Sequence, residues 1–382
     1  MRAMRSVTIV VLLYVAVGWG QSVPAPRVLD LKAFDGTALK ATYFAAAKPG
    51  PGVLLLHQCD QQRKIWDGLA ANLAAHGIHV LTVDNRGFGE SGGTRFDKLS
   101  QEEMRAVVRD KFAGDFDLAF QFLLSQDGVN HDQIGAGGAS CGVNNAIKLA
   151  RRHGEVKALV LLSGGTDRDG RSFLRVSKNL PVFTGGAEDD QYGNVVETMQ
   201  WLHSLSGNSA SRFQTYPNGR HGAEMFGPHP ELMDMVSGWF LATLTQKPAL
   251  LPKTNGTGFS PAVAELLEKI DQPGAAGDMA ASGAKIQVPE YTVNLLGYEH
   301  LQSGDAKGAI EIFRLNVSAH PESPNTYDSL ADAYLVAGQR EQALANAKKA
   351  LELLPGDAKD TEDRRKGIRE SAEQKVKQLG EK

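Results

Sequence analysis

Ser140 stands between two glycines in the run Gly138-Ala139-Ser140-Cys141-Gly142. Before it lies the apolar, glycine-punctuated segment Gln133 to Gly137, and after it the helical pattern Asn144 to Ala150. A serine at such a junction sits on a turn so sharp that its neighbours must be small, a demand Gly138 and Gly142 meet. Its hydroxyl projects past the strand tip, over a helix N-terminus that favours negative charge. Two other groups complete a chemistry. The acidic run Glu188-Asp189-Asp190 follows the strand-like Pro181 to Thr184, and Arg220-His221-Gly222 closes the loop after the strand-like Arg212 to Tyr216. Serine, carboxylate and histidine together support acyl transfer through a covalent intermediate: the histidine takes the hydroxyl proton and returns it to the leaving group. The carboxylate fixes the imidazole tautomer and stabilises its cation.

Elements that must position these residues alternate from Val28 to about Thr245. Val28–Phe34 and Ala38–Phe44, joined through Asp35-Gly36, read as an entry hairpin. Val53–Leu56 is wholly apolar, as a strand covered on both faces should be. Ile65 to His76 repeats apolar residues at helical spacing and stops at Gly77, a natural C-cap. The strand His79–Val83, a long helical stretch from Gln101 to Leu124, and the strands Ala158–Leu162, Pro181–Thr184 and Arg212–Tyr216 continue the pattern. Such alternation predicts an α/β class: a mostly parallel sheet with helices on both faces.

With these motifs in this order, residues 28–245 resemble the α/β-hydrolase superfamily, in which the chain order is Ser, Asp, His. The resemblance implies Ser140 as nucleophile and His221 as general base. Glu188, Asp189 and Asp190 compete as the acid; Asp189 is favoured because it stands three residues after Gly186, with Asp190 second. An oxyanion hole of two backbone N–H groups is implied at Cys141 and, in the loop His57-Gln58-Cys59-Asp60, at Cys59. Many relatives carry His-Gly in that loop, so Gln58 departs from the pattern. His57 is read either as a support of the site or as a packed strand-end histidine.

Asp84-Asn85-Arg86-Gly87-Phe88-Gly89-Glu90-Ser91 resembles the Asp-x-Arg-Gly-x-Gly-x-Ser stretch of the same superfamily, with Arg86 bracing loops. No strand-turn-helix elbow surrounds Ser91, which excludes it as nucleophile. Cys141 as nucleophile would need a small residue at 143, where Val143 stands. Ser163 to Asn179 is too short for a cap domain, so the expected site is open, as in the dienelactone-hydrolase-like or small esterase branches. The implied activity is a carboxylic-ester hydrolase acting on a small-molecule acyl substrate, with no metal and no cofactor. A serine peptidase and a catalytically inactive binding scaffold are the alternatives.

Cys59 and Cys141 are the only cysteines. Two N–H groups converging on one oxygen bring their Cα atoms near the separation a disulfide tolerates. A Cys59–Cys141 disulfide and a pair of free thiols both fit this placement.

From 247 to 289 the chain turns rich in Pro, Gly, Ala and Ser, with one amphipathic stretch from Ala262 to Ile270, and reads as a linker after a 21–246 hydrolase-like domain. Gly304, Ala309 and Pro321 then recur 34 residues later as Gly338, Ala343 and Pro355. That period, with small residues where helices cross, resembles tetratricopeptide repeats. It implies a smaller all-α helical-repeat module over 290–358, able to dock a protein or peptide partner or another part of the chain. Residues 359–382 read as a charged capping helix.

At the N-terminus, Arg2 and Arg5 precede an apolar stretch from Val7 to Val17 and then Gly18 and Gly20. That order predicts a cleavable signal peptide over 1–20 and a secreted or periplasmic protein. The apolar run is shorter than the roughly 20 residues a membrane span needs. A hydrophobic content of 42% and a charged content of 22% describe a chain with a real core. A net charge of −3 argues against nucleic acid or an anionic membrane as bulk electrostatic partner.

Overall fold

The computed structural model of the 382-residue chain describes residues 22–192, 195–282 and 286–380. The segment read as a signal peptide, 1–20, lies outside the described residues. No helix among the described residues is long and apolar enough to cross a membrane.

Eight strands form one sheet: β1 (Arg27–Lys32), β2 (Ala38–Phe44), β3 (Gly50–Leu56), β4 (His79–Val83), β5 (Val129–Ala139), β6 (Val156–Leu162), β7 (Val182–Ala187) and β8 (Arg212–Tyr216). Their order is β1-β2-β4-β3-β5-β6-β7-β8. β1 and β2 pair antiparallel, β2 joins β4 antiparallel, and every later pairing is parallel. Between the strands run α1 (Asp67–Ala75), α2 (Gln101–Asp110), α3 (Phe112–Leu124), α4 (Cys141–Arg152), α5 (Arg168–Val176) and α6 (Val195–Ser206), and α7 (Glu231–Leu244) follows β8. The long helix expected over Gln101–Leu124 is interrupted at Lys111 (φ −121°). The interruption turns Phe112 and Phe116 into the core while α2 stays at the surface.

Alternation along the strands decides what each face buries. Leu54 and Leu56 of β3 share a core with Phe116 and Phe120 of α3, Val143 and Leu149 of α4, and Trp201 of α6. Val53 and Leu55 point the other way, into a core closed by Leu69 and Leu73 of α1 and Trp239 and Phe240 of α7.

The segment read as a linker is ordered against this domain. Gly256 donates its N–H to Phe213 O, and the Asn255 side chain both accepts from Thr215 N and donates to Thr215 O. These bonds cover the free edge of β8, which would otherwise present unpaired backbone groups. Two helices follow, where one was expected: α8 (Pro261–Ile270) and α9 (Ala275–Ala281). Leu267 and Ile270 of α8 join the core beside α6.

The C-terminal region is helical: α10 (Glu290–Gln302), α11 (Ala306–Ala319), α12 (Pro324–Val336), α13 (Arg340–Leu353) and α14 (Glu362–Gly380). The first residues of α10 and α12 are 34 positions apart, as are those of α11 and α13. The same turn closes α10 and α12: Gly304 (φ 87°) and Gly338 (φ 74°) take the left-handed position just past the C-caps Ser303 and Ala337. A Cβ on Gly297 would overlap the Phe313 ring, so α10 and α11 cross where only glycine fits. Val293 and Leu296 of α10 enter the same core as α6 and α8. Arg168 of α5 binds the carboxylate of Asp271 at 2.9 Å, and Arg171 binds Glu299 of α10 at 2.6 Å. The helical region is therefore packed onto the sheet domain, not tethered beside it.

Candidate active site

Ser140 joins β5 to α4 at φ 52°, ψ −122°, a strained conformation that non-glycine residues seldom adopt. The glycines around it are dictated by contact. A Cβ on Gly138 would overlap the Gly142 carbonyl, and one on Gly142 would overlap the Leu56 carbonyl. Gly164, after β6, passes so close to the Ser140 carbonyl that it too can carry no side chain. The Ser140 N–H donates to Leu162 O at 2.9 Å, fixing the elbow to the next strand.

His221 lies in the loop after β8 and is 3% exposed. Its Nδ1 is 2.7 and 2.9 Å from the two carboxylate oxygens of Asp190. Its Nε2 is buried without a hydrogen-bond partner among the described residues, which leaves that nitrogen free to take a proton. The Tyr192 ring stands edge-on to the imidazole at a centroid distance of 4.4 Å, and the Tyr192 N–H donates to Asp190 Oδ1 at 3.0 Å.

The carboxylate beside His221 is that of Asp190, not of the favoured Asp189. β7 runs on through Gly185 and Gly186 to Ala187, and the acid stands three residues after that true strand end. Asp189 instead accepts the N–H groups of Gly219 (2.8 Å) and Arg220 (3.0 Å), bracing the loop that carries His221. Arg220 needs that brace: its φ is 63°.

Cys59 and Cys141 are joined in a disulfide with Cα atoms 5.8 Å apart. It ties the loop after β3 to the residue that follows Ser140. Neither N–H donates to a carbonyl in the loops and turns of the described residues. The residue before Cys59 extends the linkage. Gln58 is fully buried, and its Oε1 accepts from Ala223 N at 3.0 Å, two residues past His221. Gly222 packs against the same oxygen and against Ala139. The elbow, the loop after β3 and the histidine loop are thus connected through one disulfide and one carboxamide. The placement of the two cysteines pointed to the disulfide in the sequence, while for the carboxamide only the departure of Gln58 from the usual His-Gly pattern gave a hint.

His57 is a strand-end strut. Its Nδ1–H donates to Gln58 O at 2.6 Å while its Nε2 accepts from Asn85 N at 2.9 Å, and burial pushes its pKa down. Arg86 binds Asp115 of α3 through two nitrogens (2.7 and 2.9 Å) and Asp35 in the β1–β2 turn at 2.8 Å. Ser91 Oγ donates to Asp84 O and accepts from Lys40 N, a structural post. Sequence reading missed Arg63, whose buried guanidinium and N–H both bind Asp84.

Two concavities flank these residues. One of about 540 Å³ opens beside Cys59, lined by Phe88, Phe96, Arg95 and Met104 among others. Another of about 310 Å³ lies between Glu188 and Asp190 on one side and Tyr291, Lys359 and Arg364 of the helical region on the other. The site was expected to be open for want of a cap domain; beside Asp190 the C-terminal helices form a wall. No group of three or more His, Cys, Asp or Glu side chains suited to a metal ion occurs among the described residues.

Sheet order and elbow together define the α/β-hydrolase fold. Residues 47–180 match the family described as Serine aminopeptidase, S33. The DcsB complex with its substrate analogue aligns at 14% identity and a TM-score of 0.49, over 58% of this chain and 99% of that one. An esterase from Pyrococcus furiosus aligns at 17% identity and a TM-score of 0.47, over 58% of this chain and 93% of its own. Est1E from Butyrivibrio proteoclasticus, bound to ferulic acid, aligns at 16% identity and a TM-score of 0.46, over 57% and 99%. Comparison with curated proteins gives no match.

Proposed function

We propose that the chain is a serine hydrolase that cleaves a carboxylic ester or related acyl bond through an acyl-Ser140 intermediate. The observation that carries this reading is a buried His221 whose Nδ1 is held by Asp190 while its Nε2 stays unpartnered, in a chain that also strains Ser140 at a nucleophile elbow. Ser140 Oγ attacks the carbonyl carbon as His221 Nε2 takes its proton, and Asp190 stabilises the imidazolium. The N–H groups of Cys59 and Cys141 receive the oxyanion, each worth about 3–4 kcal/mol of transition-state stabilisation. Collapse breaks the acyl–oxygen bond, and His221 returns the proton to the leaving alcohol. Water, deprotonated by His221, then attacks the acyl-serine and releases a carboxylate and free Ser140.

The family description of residues 47–180 favours a second reading, a serine peptidase, in which an amine replaces the alcohol as leaving group. Steady-state rates on p-nitrophenyl esters of graded acyl length, set beside aminoacyl and peptidyl anilides, separate the two. Ester kcat/KM above anilide kcat/KM by about a hundredfold or more supports the first, and the reverse order supports the second.

The same reading makes the protein secreted or periplasmic. The basic, apolar and small-residue order of 1–20 supports it, and a disulfide suits an oxidising compartment. The 34-residue spacing of helix starts supports a tetratricopeptide-like module that engages a protein or peptide partner. N-terminal sequencing of exported protein tests the first point, expecting a mature start at Gln21.

A further inference from the structure

A concavity of about 460 Å³ lies between α2, α3 and α4, within the size range of small-molecule sites. Its floor is apolar: Phe112 and Phe116 of α3, with Val108 of α2 left 41% exposed. Basic side chains surround the floor. Lys148 is paired with Asp167 and Arg152 with Asp117, so their charges are answered within the protein. Arg105, at an exposed position of α2, is not: it has no carboxylate or hydrogen-bond partner among the described residues. A second group points the same way. The Asn145 side chain lines the concavity, is only 9% exposed, and makes no hydrogen bond among the described residues. Its amide atoms reach the solvent of the groove and are open to a ligand there.

We propose that this groove is a binding site for a small amphiphilic carboxylate. The alkyl or aryl body lies over the exposed Val108, above the buried rings of Phe112 and Phe116, the carboxylate pairs with Arg105, and the Asn145 amide donates to a ligand oxygen. Charge complementarity selects this occupant: an apolar floor calls for a hydrocarbon, and an unanswered guanidinium calls for a planar anion. The site is separate from Ser140 and stands whether or not the hydrolase reading does.

Titration calorimetry of the full chain with sodium octanoate tests the proposal, with octanamide as the neutral match. Expected is saturable one-to-one binding of octanoate, with octanamide weaker by about tenfold. Arg105→Gln, at an exposed position that leaves the fold intact, is expected to weaken octanoate by about tenfold, as is Val108→Glu, which places a like charge over the floor. No saturable binding in the wild type overturns the proposal, and so does equal affinity in both variants, which puts the ligand elsewhere. Co-sedimentation with phosphatidylglycerol vesicles without octanoate binding also overturns it, by making the groove a membrane contact.

Discussion

Asp190 and Asp189 are adjacent in sequence, yet only Asp190 reaches His221: its oxygens lie 2.7 and 2.9 Å from Nδ1, while Asp189 binds the backbone of Gly219 and Arg220. One carboxylate serves the imidazole and the other shapes the loop that presents it. Asp190→Asn is therefore expected to lower kcat about 10³–10⁴-fold on an activated ester, by favouring the wrong tautomer. Asp189→Asn should cost less than about tenfold, with a lower melting temperature. Equal losses would place the acid at neither position alone.

Gln58 provides a test of positioning. Its Oε1 holds Ala223 N, and its backbone runs into the disulfide at Cys59. Gln58→Ala should reduce kcat by about 10–100-fold with KM nearly unchanged, because the histidine loop loses its tie to the oxyanion loop while the cleft beside Cys59 is untouched. A rise in KM with constant kcat would show that Gln58 acts on substrate binding instead.

Cys59 is exposed, so the Cys59–Cys141 bond is open to thiol reagents. Reduction by dithiothreitol, or the double change Cys59→Ser with Cys141→Ser, should lower stability by about 2–4 kcal/mol, since the bond closes a long loop (sequence separation 82). Activity should fall with it. Titration of the denatured, unreduced protein provides the direct check: no free thiol is expected, and two free thiols would contradict the bond.

Acid sensitivity follows from His57. Both ring nitrogens are committed in the neutral form, and burial holds its pKa below the ordinary histidine value. The unfolded chain then binds the extra proton first, so this contribution to stability is intact above about pH 6.5 and declines as the pH drops below it. The wild-type melting temperature should decrease between pH 7 and 5. In His57→Gln the value at pH 7 should be lower and the decrease smaller; an unchanged acid slope would remove His57 from the explanation.

Much of the candidate site's geometry is legible in the sequence because its constraints are local. Ser140 is framed by glycines that steric contact demands, and β4 and β8 are short strands read to the residue. The sequence points to Asp189, not Asp190, as the carboxylate beside His221 because Gly185-Gly186 looks like a turn. Both are strand interior: a Cβ on Gly185 would press on Leu162, and one on Gly186 would touch Met199 and Val196 of α6. α9 was missed because Ala275–Ala281 has the small-residue texture of a linker, and its helix is formed against α11. Docking of the helical region rests on pairs such as Arg168–Asp271 and Arg171–Glu299, more than a hundred residues apart, which no local pattern announces.

The central claim is that Ser140 is a nucleophile activated by His221. A fluorophosphonate probe applied to the folded wild type, Ser140→Ala and His221→Ala tests it in one measurement. Stoichiometric labelling of the wild type at Ser140, none in Ser140→Ala, and labelling slowed by about a thousandfold in His221→Ala is the predicted result. An unlabelled wild type, or labelling that survives Ser140→Ala, would contradict it.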